Sequence, residues 1–314
     1  MSKAVLSAMV RPLIEQHLPA GIDAHWFMSA DEAKAEIVDA DIAWVDLNDP
    51  AAMREVVSAG TKLKWLSTIY AGLDHFPVEQ LAAQGTVVTN GVGINTIAVA
   101  EYAVLGMLSL AKGYADVVRS ADKAEWLQAS PGVVELYETK ALVIGYGAIG
   151  RAIGARLEGF GVEVTGVART ARPAEGIIGA DDWQTRIGEF DWIILAMPAT
   201  DETEAMFGAA ELEAMKKDAF LVNIARGSCV DQDALVSALQ DKAIAGAFLD
   251  VVTPEPLPAN HVLWTLPNVQ LSMHLSGRAQ SKMFARSAEL FIKNTHAWVN
   301  EEPLTNRVDL SLGY

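Results

Sequence analysis

The chain of 314 residues is longer than one ordinary hydrophobic core, so two domains are expected, and an apolar content of 51% can fill both. A formal net charge of −16 argues against nucleic-acid and anionic-membrane partners, which bind clustered Lys and Arg. The single cysteine, Cys229, excludes an internal disulfide, and no zinc-ligand spacing is present. The apolar run at the N-terminus is too short for a signal peptide, and no run reaches the length of a membrane span, so we expect a cytoplasmic globular protein without a metal.

Short apolar strands alternate with helical segments in the first part of the chain. This alternation indicates a parallel sheet with helices on its faces. No glycine-rich phosphate loop follows the first strand, so this part is not expected to bind a nucleotide. The predicted strands lie at 4–10, 41–47, 64–69 and 86–90, and the predicted helices at 32–38 and 50–58.

A loop of small residues, Tyr70-Ala-Gly-Leu-Asp74, follows the predicted strand at 64–69. Its backbone N–H groups could receive a carboxylate, because several N–H groups in one loop can form an anion-binding concavity. A simple turn explains the same residues equally well. The residues alone therefore leave both interpretations open.

The segment 98–111 is apolar on nearly every side, and Glu101 is its only charge. We expect it to form a helix that is buried between domains or between subunits, and the chain to cross between domains near residues 96–99. The last long helix, predicted at 278–299, would return the chain to the first domain. These features predict a substrate-binding domain of residues 1–97 plus 287–314 and a dinucleotide-binding domain of residues 98–286.

The segment Lys140-Ala-Leu-Val-Ile-Gly-Tyr-Gly-Ala-Ile-Gly150 reads as a buried strand, a tight turn and the start of a helix. Gly145, Gly147 and Gly150 fit G-x-G-x-x-G. In that motif the first glycine permits the turn, the second admits a pyrophosphate, and the third lets the helix pack on the strand. The unpaired N–H groups of a helix N-terminus favour an anion. The segment therefore predicts dinucleotide binding.

Further strands follow the glycine loop and indicate a doubly wound, Rossmann-type domain inserted into a smaller α/β domain. In such a sheet the carboxyl ends of the parallel strands lie along one edge, where ligands bind. The predicted strands are 163–168, 191–197, 219–225, 245–251 and 269–273, with helices at 209–216 and 231–241.

Three residues at the ends of these strands, Arg226, Glu255 and His274, have complementary chemistry. An arginine fork binds a carboxylate and polarises a carbonyl, and a histidine transfers a proton at neutral pH. A glutamate can orient and charge that histidine. Each residue alone has a structural explanation, such as turn chemistry for Glu255 between two prolines. Their coincidence at one edge predicts a catalytic group.

The sequence resembles the D-isomer-specific 2-hydroxyacid dehydrogenases from about Trp65 onward. The family implies that Arg226 anchors the substrate, that Glu255 and His274 form the acid/base pair, and that Asp250 contacts the nicotinamide amide. It also implies a carboxylate site on the backbone of Ala71 and Gly72, and a homodimer. The motifs that carry the resemblance are the glycine loop, Val222-Asn-Ile-Ala-Arg-Gly-Ser228, Leu249-Asp-Val251, Glu255-Pro-Leu-Pro258, Leu271-Ser-Met-His274, Val88-Thr-Asn90 and Val99-Ala-Glu101.

Two departures from the family pattern bear on function. Ser272-Met273 stands where the family often has Thr-Pro before the histidine. At the end of the second nucleotide-domain strand, the acidic residue that would bind ribose hydroxyls is replaced by Ala168 and by the basic segment after it. This replacement favours NADP(H), with NAD(H) possible. The expected cofactor contacts are Gly145, Gly147, Ala148, Ile149, Gly150, Ala168, Arg169, Thr170, Arg172, Pro198, Asp250 and His274.

The function that we expect is NADPH-preferring reduction of small 2-keto acids, of the glyoxylate or hydroxypyruvate type, to D-2-hydroxy acids. A relative that oxidises formate or phosphite is an alternative, although formate enzymes of this fold carry Gln where Glu255 stands. A nucleotide-sensing, partner-binding protein on the same fold is another, because corepressors share this fold. A turnover assay distinguishes an enzyme from the second alternative.

Overall fold

The computed structural model describes residues 1–310, and the chain forms two compact units. The first unit contains Met1–Asn95 and the C-terminal segment from Gln280, and the second contains Thr96–Ala279. The sequence-based boundaries, at 98 and 286, therefore differ from the observed ones. A helix begins at Thr96, and the side chain of Arg286 donates to the backbone carbonyl of Ile94, which places the segment after 280 with the first unit.

The secondary structure alternates strand and helix through most of the described residues. The strands are β1 (Ser2–Ser7), β2 (Ile22–Phe27), β3 (Ile42–Trp44), β4 (Trp65–Ser67), β5 (Val87–Thr89), β6 (Lys140–Ile144), β7 (Glu163–Val167), β8 (Ile177–Ile178), β9 (Trp192–Leu195), β10 (Phe220–Asn223), β11 (Gly246–Leu249) and β12 (Val269–Leu271). The α-helices are α1 (Arg11–Ile14), α2 (Ala30–Glu36), α3 (Pro50–Ala59), α4 (Val78–Gln84), α5 (Thr96–Lys112), α6 (Tyr114–Asp122), α7 (Ala148–Glu158), α8 (Ala209–Ala214), α9 (Gln232–Gln240) and α10 (Met283–Val299).

The first unit is built on a parallel sheet with the strand order β2-β1-β3-β4-β5, which is the order of flavodoxin-like domains. The sequence pattern missed β2, because the polar residues Asp23 and His25 interrupt its apolar run. Its middle residues are partly exposed, as expected for an edge strand. In this sheet the ends of β3, β4 and β5 lie side by side, which brings together three loops that are far apart in sequence.

The second unit contains a parallel sheet with the order β12-β11-β10-β9-β6-β7-β8. Strand β6 pairs with β7 on one side and with β9 on the other, so the strand order reverses between β6 and β9. Ligands of doubly wound sheets bind at this switch point, beyond the carboxyl ends of the strands. The expected Rossmann-type fold with a second flavodoxin-like unit is therefore confirmed.

Helix α5 is less buried than its apolar sequence predicts. Ala100, Ala103 and Met107 are fully buried in a cluster that α5 shares with α7 and with β10 and β11. Leu105, by contrast, is 51% exposed, so one face of the helix remains uncovered within the unit. No single helix of the described residues is long and apolar enough to cross a membrane; α5 and α6 reach that length only together, with a bend of 73°.

Candidate active site

Each of the three glycines in the loop after β6 meets a different structural requirement. Gly145 has φ +96°, and a Cβ there would lie 2.4 Å from the backbone nitrogen of Met197. A Cβ on Gly150 would lie 2.4 Å from the carbonyl oxygen of Gly145, so α7 could not pack so closely on the strand. A Cβ on Gly147 would meet nothing within 4 Å. The open space at Gly147 is where a diphosphate would need to approach the backbone.

The N-terminus of α7 fits the diphosphate of a dinucleotide. The helix begins at Ala148, and its N-cap residue Gly147 has no side chain to accept from the first N–H groups. The first turn, which contains Ala148, Ile149 and Gly150, has no acidic residue. Unsatisfied N–H groups and the helix dipole both favour a negative charge at this position.

The segment after β7 is basic and mostly exposed. Ala168 is partly buried, whereas Arg169 and Thr170 are exposed. The guanidinium of Arg169 lies 3.4 Å from the carboxylate of Glu202, and that of Arg172 lies 3.5 Å from the carboxylate of Glu175.

The loop after β9 is held by hydrogen bonds of the Thr203 hydroxyl. Pro198 is exposed, and its carbonyl accepts a hydrogen bond from the Thr203 hydroxyl at 2.8 Å. The backbone N–H of Thr200 donates to the same hydroxyl at 2.8 Å. The loop that carries Pro198 therefore has a defined shape at the end of its strand.

Arg226 lies at the end of β10 in a loop held by Asn223. The buried side chain of Asn223 accepts from the backbone N–H of Ala225 and donates to the carbonyl of Arg226, both at 3.0 Å. A Cβ on the next residue, Gly227, would lie 2.1 Å from the carbonyl oxygen of Val252. Glycine at 227 thus permits the loops after β10 and β11 to approach each other. The positive charge of Arg226 acts on Glu255, which lies in the second of these loops.

Glu255 and His274 form a direct contact: the Nδ1 atom of His274 lies 2.7 Å from the Oε2 atom of Glu255. The other carboxylate oxygen of Glu255 accepts from the backbone N–H of Val252 at 3.2 Å. A carboxylate on Nδ1 fixes the orientation and tautomer of the ring, and leaves the Nε2 atom to exchange a proton with a ligand. Among the described residues, no group of three His, Cys, Asp or Glu side chains could hold a metal ion.

Two opposing effects set the pKa of Glu255. Burial raises the pKa of this carboxyl, but the hydrogen bond and charge of His274, the N–H of Val252 and the charge of Arg226 lower it. The lowering effects prevail, and the pKa of Glu255 lies below its ordinary value. Glu255 is therefore ionised at neutral pH.

Asp250 holds the loop that carries His274. The residue is 2% exposed, and its carboxylate accepts from the Ser272 hydroxyl at 2.6 Å, from the backbone N–H of Leu275 at 3.0 Å, and from both the N–H and the hydroxyl of Ser276. Its carbonyl accepts from the N–H of His274 at 2.6 Å. The side chain that the resemblance assigns to the nicotinamide amide thus has its oxygens turned toward the loop.

Ala71 and Gly72 lie in the first unit, in the loop after β4. The carbonyl of Ala71 accepts from the side chain of Asn90 at 2.8 Å, and the carbonyl of Tyr70 accepts from the N–H of Gly91 at the same distance. Within residues 1–310, no group accepts a hydrogen bond from the backbone N–H of Ala71 or Gly72.

Several residues that hold the loops of the site were not predicted from the sequence. Gln232, at the start of α9, donates to the carbonyl of Thr253 and accepts from its N–H at 2.9 Å, which holds the loop of Glu255. Ser272 and Ser276 bind Asp250 as described above. Their hydrogen-bond partners are more than 20 residues away, so no local pattern in the sequence indicates them.

The strand order, the glycine loop and the residues at the strand ends define an α/β dehydrogenase that uses a dinucleotide. A sequence profile described as "D-isomer specific 2-hydroxyacid dehydrogenase, NAD binding domain" matches residues 104–276. The chain belongs to this family, and it is an NAD(P)-dependent oxidoreductase.

Named relatives and a solved structure support the same assignment. The chain is 36% identical over 266 residues to the glyoxylate reductase of Thermococcus litoralis, a match that covers 82% of this chain and 80% of the relative. It is 34% identical to glyoxylate/hydroxypyruvate reductase B of Enterobacter agglomerans over 73% of both chains. The NADPH-dependent glyoxylate/hydroxypyruvate reductase of Sinorhizobium meliloti, solved with NADP and malonate, is 28% identical, with a TM-score of 0.81 over 99% of this chain and 98% of that one.

Proposed function

We propose that the protein reduces small 2-keto acids, of the glyoxylate and hydroxypyruvate type, to D-2-hydroxy acids with NADPH as the preferred cofactor. The contact of 2.7 Å between Glu255 and His274, in the unit that carries the glycine loop, is the observation that most supports a reductase. The names of the similar proteins support the substrate class. The dinucleotide would be held by Gly147, the first turn of α7 and Arg169, and would supply the hydride that reduces the keto carbon.

Each residue of the site has a separate role in this reaction. The planar fork of Arg226 would bind and polarise the substrate oxygens, and the N–H groups of Ala71 and Gly72 would receive the carboxylate. His274 would donate the proton to the keto oxygen from Nε2, while ionised Glu255 holds the ring through Nδ1 and stabilises its charged form. This division assigns proton transfer, charge stabilisation and carboxylate binding to different groups.

A turnover assay tests the proposed function. Glyoxylate, hydroxypyruvate and pyruvate are each supplied with NADPH, loss of nicotinamide absorbance is followed, and the chirality of the product from hydroxypyruvate is determined. Turnover of at least one of these acids is expected. Absence of turnover with all three, or production of the L-isomer, would contradict the proposal. Phosphite and formate with NADP⁺ test the alternative small anions in the same apparatus.

The cofactor preference depends on Arg169. A 2′-phosphate carries up to about two negative charges, and charge-assisted hydrogen bonds to it are worth about 1.5 to 3 kcal/mol. We expect Arg169→Ala to lower kcat/KM with NADPH by about tenfold or more, and to leave kcat/KM with NADH nearly unchanged. The measurement is steady-state kinetics with both cofactors.

Two matched variants test this assignment. Glu202 competes for Arg169, so Glu202→Gln is expected to lower KM for NADPH. Arg172 lies 3.5 Å from Glu175, which also binds Arg151 at 3.2 Å, so Arg172→Ala is expected to have a smaller effect. An unchanged preference in Arg169→Ala would assign the selectivity to other residues.

We also propose a cytoplasmic homodimer formed through the second unit. Trp126 is 88% exposed and Val133 is 81% exposed in the segment after α6, and Leu105 and Tyr114 of the same unit are also exposed. The N–H of Val134 donates to the carbonyl of Ala111, so the segment that carries Val133 lies beside the end of α5. Large exposed apolar side chains that share one surface often mark an interface, and a twofold dimer is the simplest closed assembly.

Light scattering at micromolar concentration checks the dimer. We expect a mass of twice the 33.7 kDa of the chain, and a shift toward the single-chain mass in the double variant Trp126→Asp, Val133→Asp. Met28, which is equally exposed in the first unit, provides the control, because Met28→Asp should leave the mass unchanged. A wild-type mass of one chain would rule out the dimer.

A further inference from the structure

Asp46 is a carboxylate with no role in the proton transfer, and its oxygens point at the loop after β4. It follows β3, whose neighbour in the sheet is β4, so the ends of the two strands lie side by side. Its Oδ2 atom accepts from the backbone N–H of Ile69 at 2.8 Å and from the indole of Trp44 at 2.7 Å. Its Oδ1 atom accepts from the hydroxyl of Thr68 at 2.6 Å.

Thr68 extends this network by one further step. The same hydroxyl that donates to Asp46 accepts from the backbone N–H of Tyr70 at 3.1 Å. Asp46 and Thr68 together therefore bind the two N–H groups that precede Ala71. The side chain of Thr68 is buried, so water cannot readily replace its hydrogen bonds.

The loop is held from its other side by β5 and the residues after it. Asn90 and Gly91 bind the carbonyls of Ala71 and Tyr70, and a Cβ on Gly91 would lie 1.9 Å from the carbonyl oxygen of Ile69. With the N–H groups of Ile69 and Tyr70 held on one side and the carbonyls on the other, the remaining N–H groups are those of Ala71 and Gly72. Their direction is set by the groups that hold the loop.

We infer that Asp46 is a positioning residue for substrate binding, which acts by accepting the hydrogen bonds that orient the N–H groups of Ala71 and Gly72 toward a substrate carboxylate. The inference rests on the proposed function for the role of that loop. It also implies that the substrate site requires the hydrogen bonds made by the Asp46 side chain and not its negative charge.

Burial of the carboxyl raises the pKa of Asp46 to about 6, although the hydrogen bonds from Thr68, Ile69 and Trp44 oppose this effect. Kinetic assays are therefore run well above that pH, where the wild-type residue is ionised and accepts all three hydrogen bonds. Under these conditions Asp46→Asn removes the charge but keeps one oxygen for Ile69 and Trp44. The amide nitrogen of the new side chain can donate to the Thr68 hydroxyl.

The test compares Asp46→Ala with Asp46→Asn in glyoxylate reduction. We expect Asp46→Ala to raise KM for glyoxylate about tenfold, and to leave kcat and KM for NADPH within about threefold of wild type. Asp46→Asn should restore KM to within about threefold of wild type. Oxalate serves as an unreactive carboxylate, and its inhibition constant should rise in parallel with KM for glyoxylate.

A second pair of variants covers the case in which Asp46→Ala fails to fold. Thr68→Val removes the hydroxyl at nearly constant volume and should raise KM for glyoxylate, whereas Thr68→Ser should restore it. Unchanged KM in both Asp46→Ala and Thr68→Val would overturn the inference. A lower kcat together with an equal rise in KM for glyoxylate and for NADPH would also overturn it, because these changes would indicate general destabilisation.

Amide hydrogen exchange tests the contact between Asp46 and the loop after β4 without relying on enzyme activity. Asp46→Ala should lose amide protection at Ile69 and Tyr70, with the second unit unchanged, and Asp46→Asn should regain it. If the wild-type protein turned over no 2-keto acid, the proposed function would fail, and the exchange result would still decide whether Asp46 orders the loop. Unchanged protection at these amides in Asp46→Ala would overturn the inference.

Discussion

Replacing His274 by alanine is expected to lower kcat/KM for glyoxylate reduction by about 10²- to 10⁴-fold at every pH, the usual contribution of a general acid. The companion variant, Glu255→Gln, should instead change the pH dependence. The carboxylate lies 2.7 Å from the ring and favours the charged imidazolium, which is the form that donates the proton. Removal of its charge should move the alkaline limb of the reductive profile to lower pH.

The sign of this shift follows from the ionisation of Glu255. Its pKa lies below the ordinary value, so it carries a full negative charge at the pH of the alkaline limb. The profile of kcat/KM against pH is measured for the wild type and Glu255→Gln. Oxidation of glycolate provides an internal check, because it needs the uncharged ring and its acid limb should move in the same direction. An alkaline limb that stays in place or rises would exclude Glu255 as the residue that charges His274.

Introducing the proline that the family often has before its histidine should inactivate this enzyme. Met273 has φ +55°, and the following His274 also has φ +55°. Proline fixes φ near −65° and restricts the residue before it, so Met273→Pro cannot adopt the present backbone. We expect kcat to fall about 100-fold or more, because a displacement of about 1 Å at the catalytic group can have that effect.

The side chain of Met273 is 62% exposed, so its replacement removes little packing. Met273→Gly is the matched control, because glycine accepts positive φ without steric cost, and it should retain kcat within about threefold of wild type. Steady-state kinetics and thermal unfolding of both variants separate a local effect from loss of folding. Wild-type kcat in Met273→Pro would mean that the working loop has a different backbone conformation.

The family, the two α/β units and the glycine loop can be identified from the sequence alone, and so can Arg226, Glu255 and His274 as candidate catalytic residues. These features are local, because each depends on residue types within a few positions of one another at the end of a predicted strand. The residue types themselves predict an apolar strand or a glycine with positive φ.

The contacts that hold those candidates in place depend on the tertiary structure. Asp250 binds Ser272 and Ser276 across 22 and 26 positions, and Asp46 binds Ile69 across 23 positions. The strand order places these partners side by side, and this order cannot be predicted from local periodicity in the sequence. The start of the second unit at Thr96 and the edge strand β2 were likewise decided by which surfaces pack together. Hydrogen-bond partners that meet through sheet topology are separated in sequence, so their pairing becomes visible only when the strands are in place.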